Sequence, residues 1–195
     1  GADILDVNMG MSGVDERALM LKAIETVTMA TTLPLCIDTS YPEIMEAALR
    51  IYPGRALINS ISAESDRCDR MLKIAKKYGA MFILLPVGDS GLPKDMEEKK
   101  RNIDTVLKKA FAMGFTKEDI IVDGLVGTVG AIRDAAKETL ATIEYCYEMG
   151  LATTCGLSNI SFGLPERINV NSAFLAMAVH AHLTSAIMNP NQDVM

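Results

Sequence analysis

The sequence predicts an α/β fold, a parallel sheet rolled toward a TIM (β/α)8 barrel. Three observations point to it. Short apolar runs alternate with helical patterns along the whole chain. Most of the runs are continuously apolar, as strands covered on both faces require. Helix-capping signals fall between them, where parallel strands need their crossovers. The first run, 2–8, is followed by a helical pattern over 15–30. The second, 33–38, leads into a helix opened by Ser40 and Glu43, which have capping-box spacing, and closed before Gly54. The third, 56–59, precedes a helix over 65–78 with Gly79 just past its end. The fourth, 80–86, precedes a helix over 95–113 whose stripe is Ile103, Val106, Leu107, Ala110 and Phe111, stopped by Gly114. The fifth, 120–123, precedes a helix over 131–149 with Ile132, Leu140, Ile143 and Tyr147 on its stripe and Gly150 as its stop. The sixth, 153–159, precedes a helix over 171–183, and the seventh spans 185–189.

About seven strands are too many for a doubly wound sheet in 195 residues, and one too few for a closed barrel. The expectation is one partial barrel domain over 1–195, lacking the first strand and helix and the last helix. The chain opens in mid-pattern at Gly1, without the basic region of a signal peptide. An unclosed barrel exposes two strand edges.

Composition narrows the function. A chain with 49% hydrophobic residues can bury a core and is not disordered. No apolar run approaches the roughly 18 residues of a membrane helix, so no membrane is expected. Net charge is −6, and the densest cationic stretch, 94–101, is interleaved with Asp95, Glu97 and Glu98 and reads as a solvated helix face. Nucleic acid is therefore not an expected partner. The four cysteines, at 36, 68, 146 and 155, form no CxxC pair and read as reduced thiols of a cytoplasmic protein. His180 and His182 point to different faces of a helix, one packed and one solvated, which argues against zinc. Met71, Met113 and Met177 read as core filler.

The chemistry lies in how the runs end. They finish with Asp6 and Asn8, then Asp38, Asn59, Asp123, Asn159 and Asn189; only the fourth, ending at Pro86, departs. In a parallel barrel the C-terminal strand ends converge on one mouth, where active sites lie. Any one Asp or Asn there is as well explained as a turn former or helix cap. Their recurrence weakens that explanation. The mouth offers acceptors and amides, with neither a strand-end cation nor the Gly-rich loop of a phosphate site. It suits a neutral or cationic heterocycle that presents several N–H donors on one edge, such as a pterin, because a carboxylate accepts two parallel N–H bonds. Mg²⁺ or Ca²⁺ is the competing ligand class. Amides mixed among the acids, and the lack of a DxDxDG run, count against a metal.

At these residues the sequence resembles the pterin-binding barrel shared by dihydropteroate synthases and methyltetrahydrofolate:corrinoid methyltransferases. The matching segments are 1–8, 35–40 and 55–60, then Gly-Leu-Ser-Asn-Ile-Ser-Phe-Gly-Leu-Pro-Glu-Arg at 156–167, then 169–177 and 186–190. The segment at 156–167 resembles the methyltransferase branch most specifically, close to the folate domain of cobalamin-dependent methionine synthases. The resemblance implies that Asp38, Asn59 and Asp123 hold the pterin edge. It places Asn159 beside the methyl-bearing ring nitrogen as the catalytic hydrogen-bond donor, with Asp6, Asn8, Ser161 and Arg167 as further candidates. It implies methyltetrahydrofolate as substrate and a cobalamin or other corrinoid carried by a partner domain or protein, with no metal bound by this chain and homodimerisation left open. A dihydropteroate synthase is the alternative, disfavoured because Ser158, Asn159 and Ile160 stand where those enzymes carry a basic motif. A non-catalytic folate-binding module is the other alternative.

Overall fold

The computed structural model describes residues 1–191; residues 192–195 of the expected domain lie outside the described residues. Strands and helices alternate as β1 (Leu5–Asn8), α1 (Glu16–Ala30), β2 (Leu35–Asp38), α2 (Pro42–Ile51), β3 (Leu57–Ser62), α3 (Ser65–Tyr78), β4 (Met81–Leu85), α4 (Met96–Ala112), β5 (Ile120–Asp123), α5 (Ala135–Glu148), β6 (Ala152–Thr154) and α6 (Arg167–His180). The strands form one parallel sheet in sequential order. That order is the α/β barrel topology rather than the doubly wound one, whose strand order reverses.

The two sheet faces differ, which explains the apolar runs. Val7, Leu35, Ile37, Ile58, Phe82, Leu84, Ile120 and Val122 are buried under the helices, against side chains such as Met20, Met45, Met71 and Val106. Phe82 lies edge-on to Phe115 with ring centroids 5.4 Å apart. The opposite, lumenal face holds a smaller apolar plug of Cys36, Leu57 and Ile83, with Met81, Ile121 and Ile187 against it. Along β1–β3 every second residue therefore faces the lumen, and the last of these are Asn8, Asp38 and Asn59.

Helix starts follow the local chemistry. Asp15 and Asp95 cap α1 and α4 by accepting from the backbone N–H of Ala18 at 3.0 Å and Glu98 at 2.7 Å. The expected capping box at Ser40 does not form. Tyr41 is the N-cap and Pro42 takes the first helical position, where its fixed φ and missing N–H cost nothing. Glu43 pairs with Arg70 at 3.4 Å instead. The helix expected over 131–149 begins later, at Ala135. Residues 128–132 form a turn closed by Ile132 N–H to Thr128 O at 2.9 Å, which leaves Ile132 exposed. Met177 and Phe111 are also exposed, on the outer sides of α6 and α4. His180 and His182 are both exposed, and the His182 ring stacks on Tyr147 at 3.8 Å.

Two expected strands change. The run at 153–159 is strand only to Thr154; beyond Gly156 it tightens into a 3-10 turn, Leu157–Ser161, so Asn159 lies on a helical turn rather than at a strand end. The run at 185–189 forms no strand. Ser185 N–H still bonds to Thr153 O at 3.0 Å and Ile187 N–H to Cys155 O at 2.8 Å, and Gly156 and Ile187 make one isolated parallel bridge beside β6. Asn189 closes a local turn, accepting from Asn191 N–H at 3.0 Å. Among the described residues β1 pairs with β2 alone, so one edge of the sheet is open.

Candidate functional site

Strand register builds the first half of the site. Asn8, Asp38 and Asn59 are direct partners in one row across β1, β2 and β3, and Asp6 pairs with Cys36 one layer below. Asn8 Nδ2 donates to Asp38 Oδ2 at 2.7 Å, and Asn59 Nδ2 donates to Asp6 Oδ2 at 3.2 Å. The Oδ1 of Asn8 accepts from Gly10 N–H at 2.9 Å, which fixes the amide orientation. Four candidates of the sequence thus form two amide–carboxylate pairs on one lumenal surface. Further along the same row β4 and β5 contribute Ile83 and Ile121, an apolar floor beside the polar edge. Such a floor and edge suit a planar ring with donors on one side.

A cleft of about 410 Å³ opens above β1 and β2, lined by Asn8, Met11, Glu16, Asp38, Thr39 and Tyr41. Burial pushes the Asp38 carboxyl up from its ordinary value; the Asn8 hydrogen bond and the charge of Arg67 pull the other way, while Asp6 and Glu16 add repulsion. Arg67, on α3 rather than at a strand end, brings a cation within electrostatic reach of Asp38. Its guanidinium reaches Glu64 at 3.3 Å, and its buried Nε has no partner among the described residues. Thr39, whose hydroxyl donates to Glu16 Oε1, is a lining residue that sequence reading missed. It follows a strand-end Asp, and that offset is the only signal the sequence carried for it.

Asp123 stands at the end of β5, in register with Thr154 and two residues beyond Ile121. It shares the C-terminal face of the sheet with the first cluster but lies across β4 from it. Its Oδ1 accepts from Leu125 N–H at 2.8 Å, a bond that favours the carboxylate. Burial outweighs that bond and the charge of Lys99, and pushes its pKa to about 6. Asn159 is exposed on the 3-10 turn after β6, its Nδ2 folded over Gly156 so closely that a Cβ there would lie 3.0 Å away. Among the described residues its side chain has no hydrogen-bond partner.

Ser161 and Arg167 serve the loop itself. Ser161 is fully buried and its hydroxyl donates to Ser158 O at 3.3 Å. Arg167 donates from Nε to Ser161 Oγ at 3.1 Å and from Nη2 to Ser158 O at 2.7 Å, which braces the turn that carries Asn159. Lys99 is the second miss: it lies in the charged stretch read as a solvated face, yet it is 4% exposed. Its spacing from Ile103, Val106 and Ala110 placed it on the buried stripe.

A sequential parallel α/β barrel segment, with carboxylates and amides gathered at the C-terminal strand ends, defines the class: a barrel of the kind whose sites lie at that face. The particular family follows from comparison. The chain belongs to the pterin binding enzyme family, which it matches over residues 1–189. It is 29% identical to a methylcorrinoid:tetrahydrofolate methyltransferase of Eubacterium limosum, covering 100% of this chain and 74% of that protein. It is 28% identical to a methionine synthase of Mycobacterium leprae, covering 98% of this chain but 17% of that protein. The fold matches a dihydropteroate synthase from Xanthomonas albilineans solved with 7,8-dihydropteroate, at a TM-score of 0.75 and 24% identity over 95% of this chain and 72% of that one.

Proposed function

We propose that this protein transfers a methyl group between N5 of a tetrahydrofolate and the cobalt of a corrinoid carried by another domain or protein, with residues 1–195 as a partial barrel that supplies the folate site. The reading rests on one observation above all: two amide–carboxylate pairs stand in register on three adjacent strand ends, beside an apolar floor. In this reading Asp38 and Asn59, with Asp123 from the far side of β4, bind the donor edge of the pterin, and Asp6 and Asn8 hold those two side chains in place.

Asn159 has the catalytic role. When methyl-folate is the donor, the carbon–nitrogen bond breaks with its electron pair left on N5, while the corrinoid cobalt supplies the pair that forms the new bond to carbon. An amine nitrogen is a poor leaving group as an anion, so N5 gains a proton from solvent. An amide is no acid, but its N–H bond to N5 strengthens as negative charge develops there. A free, exposed Asn159 amide on a braced turn suits that task. The same contacts serve the reverse direction.

The relatives named for methylcorrinoid and methionine chemistry support this reading. A neutral Asn159, where a pyrophosphate-releasing synthase carries a cation, counts against the synthase alternative. The test is methyl transfer to free cob(I)alamin, followed by loss of its absorbance. Asn159→Ala is expected to slow transfer about 100-fold, the scale of losing one preorganised donor, while methyltetrahydrofolate affinity changes less than about threefold. Turnover of a dihydropterin pyrophosphate with p-aminobenzoate in place of methyl transfer would overturn the proposal.

A further inference from the structure

Lys99 is a buried cation without a buried partner of opposite charge in contact. It sits in the first turn of α4 at 4% exposure, and Nζ donates to Thr142 Oγ1 on α5 at 3.2 Å. That neutral hydroxyl is its hydrogen-bond partner; no carboxylate stands within ion-pair distance of it among the described residues. Thr142 accepts from Lys99 while its own hydroxyl proton goes to Glu138 O at 2.7 Å. Removing an ammonium from water costs several kcal/mol unless a counter-charge answers it.

The elements around Lys99 lead to the mouth. α5 presses directly on the end of β5: a Cβ on Gly124 would meet Thr139 Cγ2 at 3.1 Å and Ile143 Cγ1 at 3.4 Å. Thr142 lies on that same buried face of α5. Two carboxylates are in electrostatic reach of Lys99, Glu138 on α5 and Asp123 on β5. Glu138 exerts the larger influence on Lys99 but is exposed to solvent, whereas Asp123 is enclosed. The other titratable groups facing the pair are Cys146 on α5 beside Lys99 and Cys155 after β6 beside Asp123. Burial pushes both thiols up to about 12, so both stay neutral at physiological pH.

We propose that Lys99 is a positioning residue: a buried counter-charge behind β5 that keeps Asp123 a carboxylate facing the mouth, ready to accept N–H donors of the ligand. The Lys99–Asp123 pair is independent of ligand identity; its consequence for folate binding rests on the function proposed above. Burial and Lys99 act on Asp123 in opposite directions. Without Lys99, burial wins further, and a protonated Asp123 loses the two-acceptor edge that an N–H-rich ring needs.

The test titrates the Asp123 carboxyl carbon by NMR in the ligand-free protein, with its signal assigned by loss in Asp123→Asn. Lys99→Met is expected to raise the midpoint by about one pH unit, and Lys99→Arg to return it close to the unmutated value. The acid limb of methyltetrahydrofolate affinity is expected to move with the midpoint. An unmoved midpoint in folded Lys99→Met overturns the proposal. Should Lys99→Met fail to fold, reciprocity supplies the second arm: Asp123→Asn must lower the titration of the Lys99 ammonium nitrogen, and no change there overturns it equally. If the midpoint moves but the unmutated protein binds no folate, the pair stands and the proposed function fails.

Discussion

Asp123→Asn tests whether the strand-end acid is kept for binding at the expense of the fold. The substitution is nearly isosteric, and the new amide oxygen still accepts from Leu125 N–H, so the local turn survives. Burial raises the carboxyl from an ordinary 3.8 to about 6. At about 1.4 kcal/mol per pH unit, the ionised form then costs the folded state roughly 3 kcal/mol. The sign follows from linkage: between pH 4 and 6 the folded chain holds a proton that the unfolded chain has released, so stability falls as pH rises through that window and is level above it. Asn carries no such charge. A buried amide has its own cost, so the expected gain at pH 7.5 is about 1–2 kcal/mol, or roughly 3–6 °C in Tm for a chain of this size. Binding is expected to move the other way. Losing a carboxylate that accepts from a ring edge removes about 1.5–3 kcal/mol, a loss of about 10–150-fold in methyltetrahydrofolate affinity. Urea denaturation at pH 4.5 and 7.5, with calorimetric titration of methyltetrahydrofolate at pH 7.5, reads both. A variant that is less stable at pH 7.5, or that binds the folate as tightly as the parent, refutes the placement of Asp123 as a strained binding group.

Asn8→Ala removes the 2.7 Å hydrogen bond to Asp38, so the Asp38 carboxyl rises further and folate affinity falls about tenfold, most steeply toward acid pH; titrating affinity between pH 5 and 8 measures it. Gly124→Ala puts a methyl 3.1 Å from Thr139 Cγ2 and should cost about 1–3 kcal/mol by overpacking the β5–α5 contact, read by urea denaturation. Phe82→Ala empties the fully buried ring that packs on Phe115 and should cost about 3–5 kcal/mol, with the same assay. A loss below 1 kcal/mol would place Phe82 outside the cooperative core.

Much of the barrel was legible because its signals are local. Parallel strands covered on both faces must be continuously apolar, and the runs ending at Asn8, Asp38, Asn59 and Asp123 became β1, β2, β3 and β5 with those residues as their last or lumen-facing members. The end of the sixth run was not legible. Gly156 and Asn159 fit an extended ending as well as the 3-10 turn observed, which long-range contacts brace: Arg167, at the start of α6, bonds to Ser158 O and Ser161 Oγ. The capping box at Ser40 misled because Pro42 fixes the helix start more rigidly than a side-chain cap does.

By itself, the sequence determined which residues are polar where a strand stops, and so the chemical character of the mouth. Register decided the rest. Asn8, Asp38 and Asn59 lie about twenty or thirty positions apart in the chain and become neighbours only because three strands align in one row. Lys99 is the clearest case. Its charge marked it as a surface residue, and only the packing of α4 against α5 turns that charge inward, onto Thr142. Charge belongs to a residue, but the dielectric around it and the partner it meets belong to the fold.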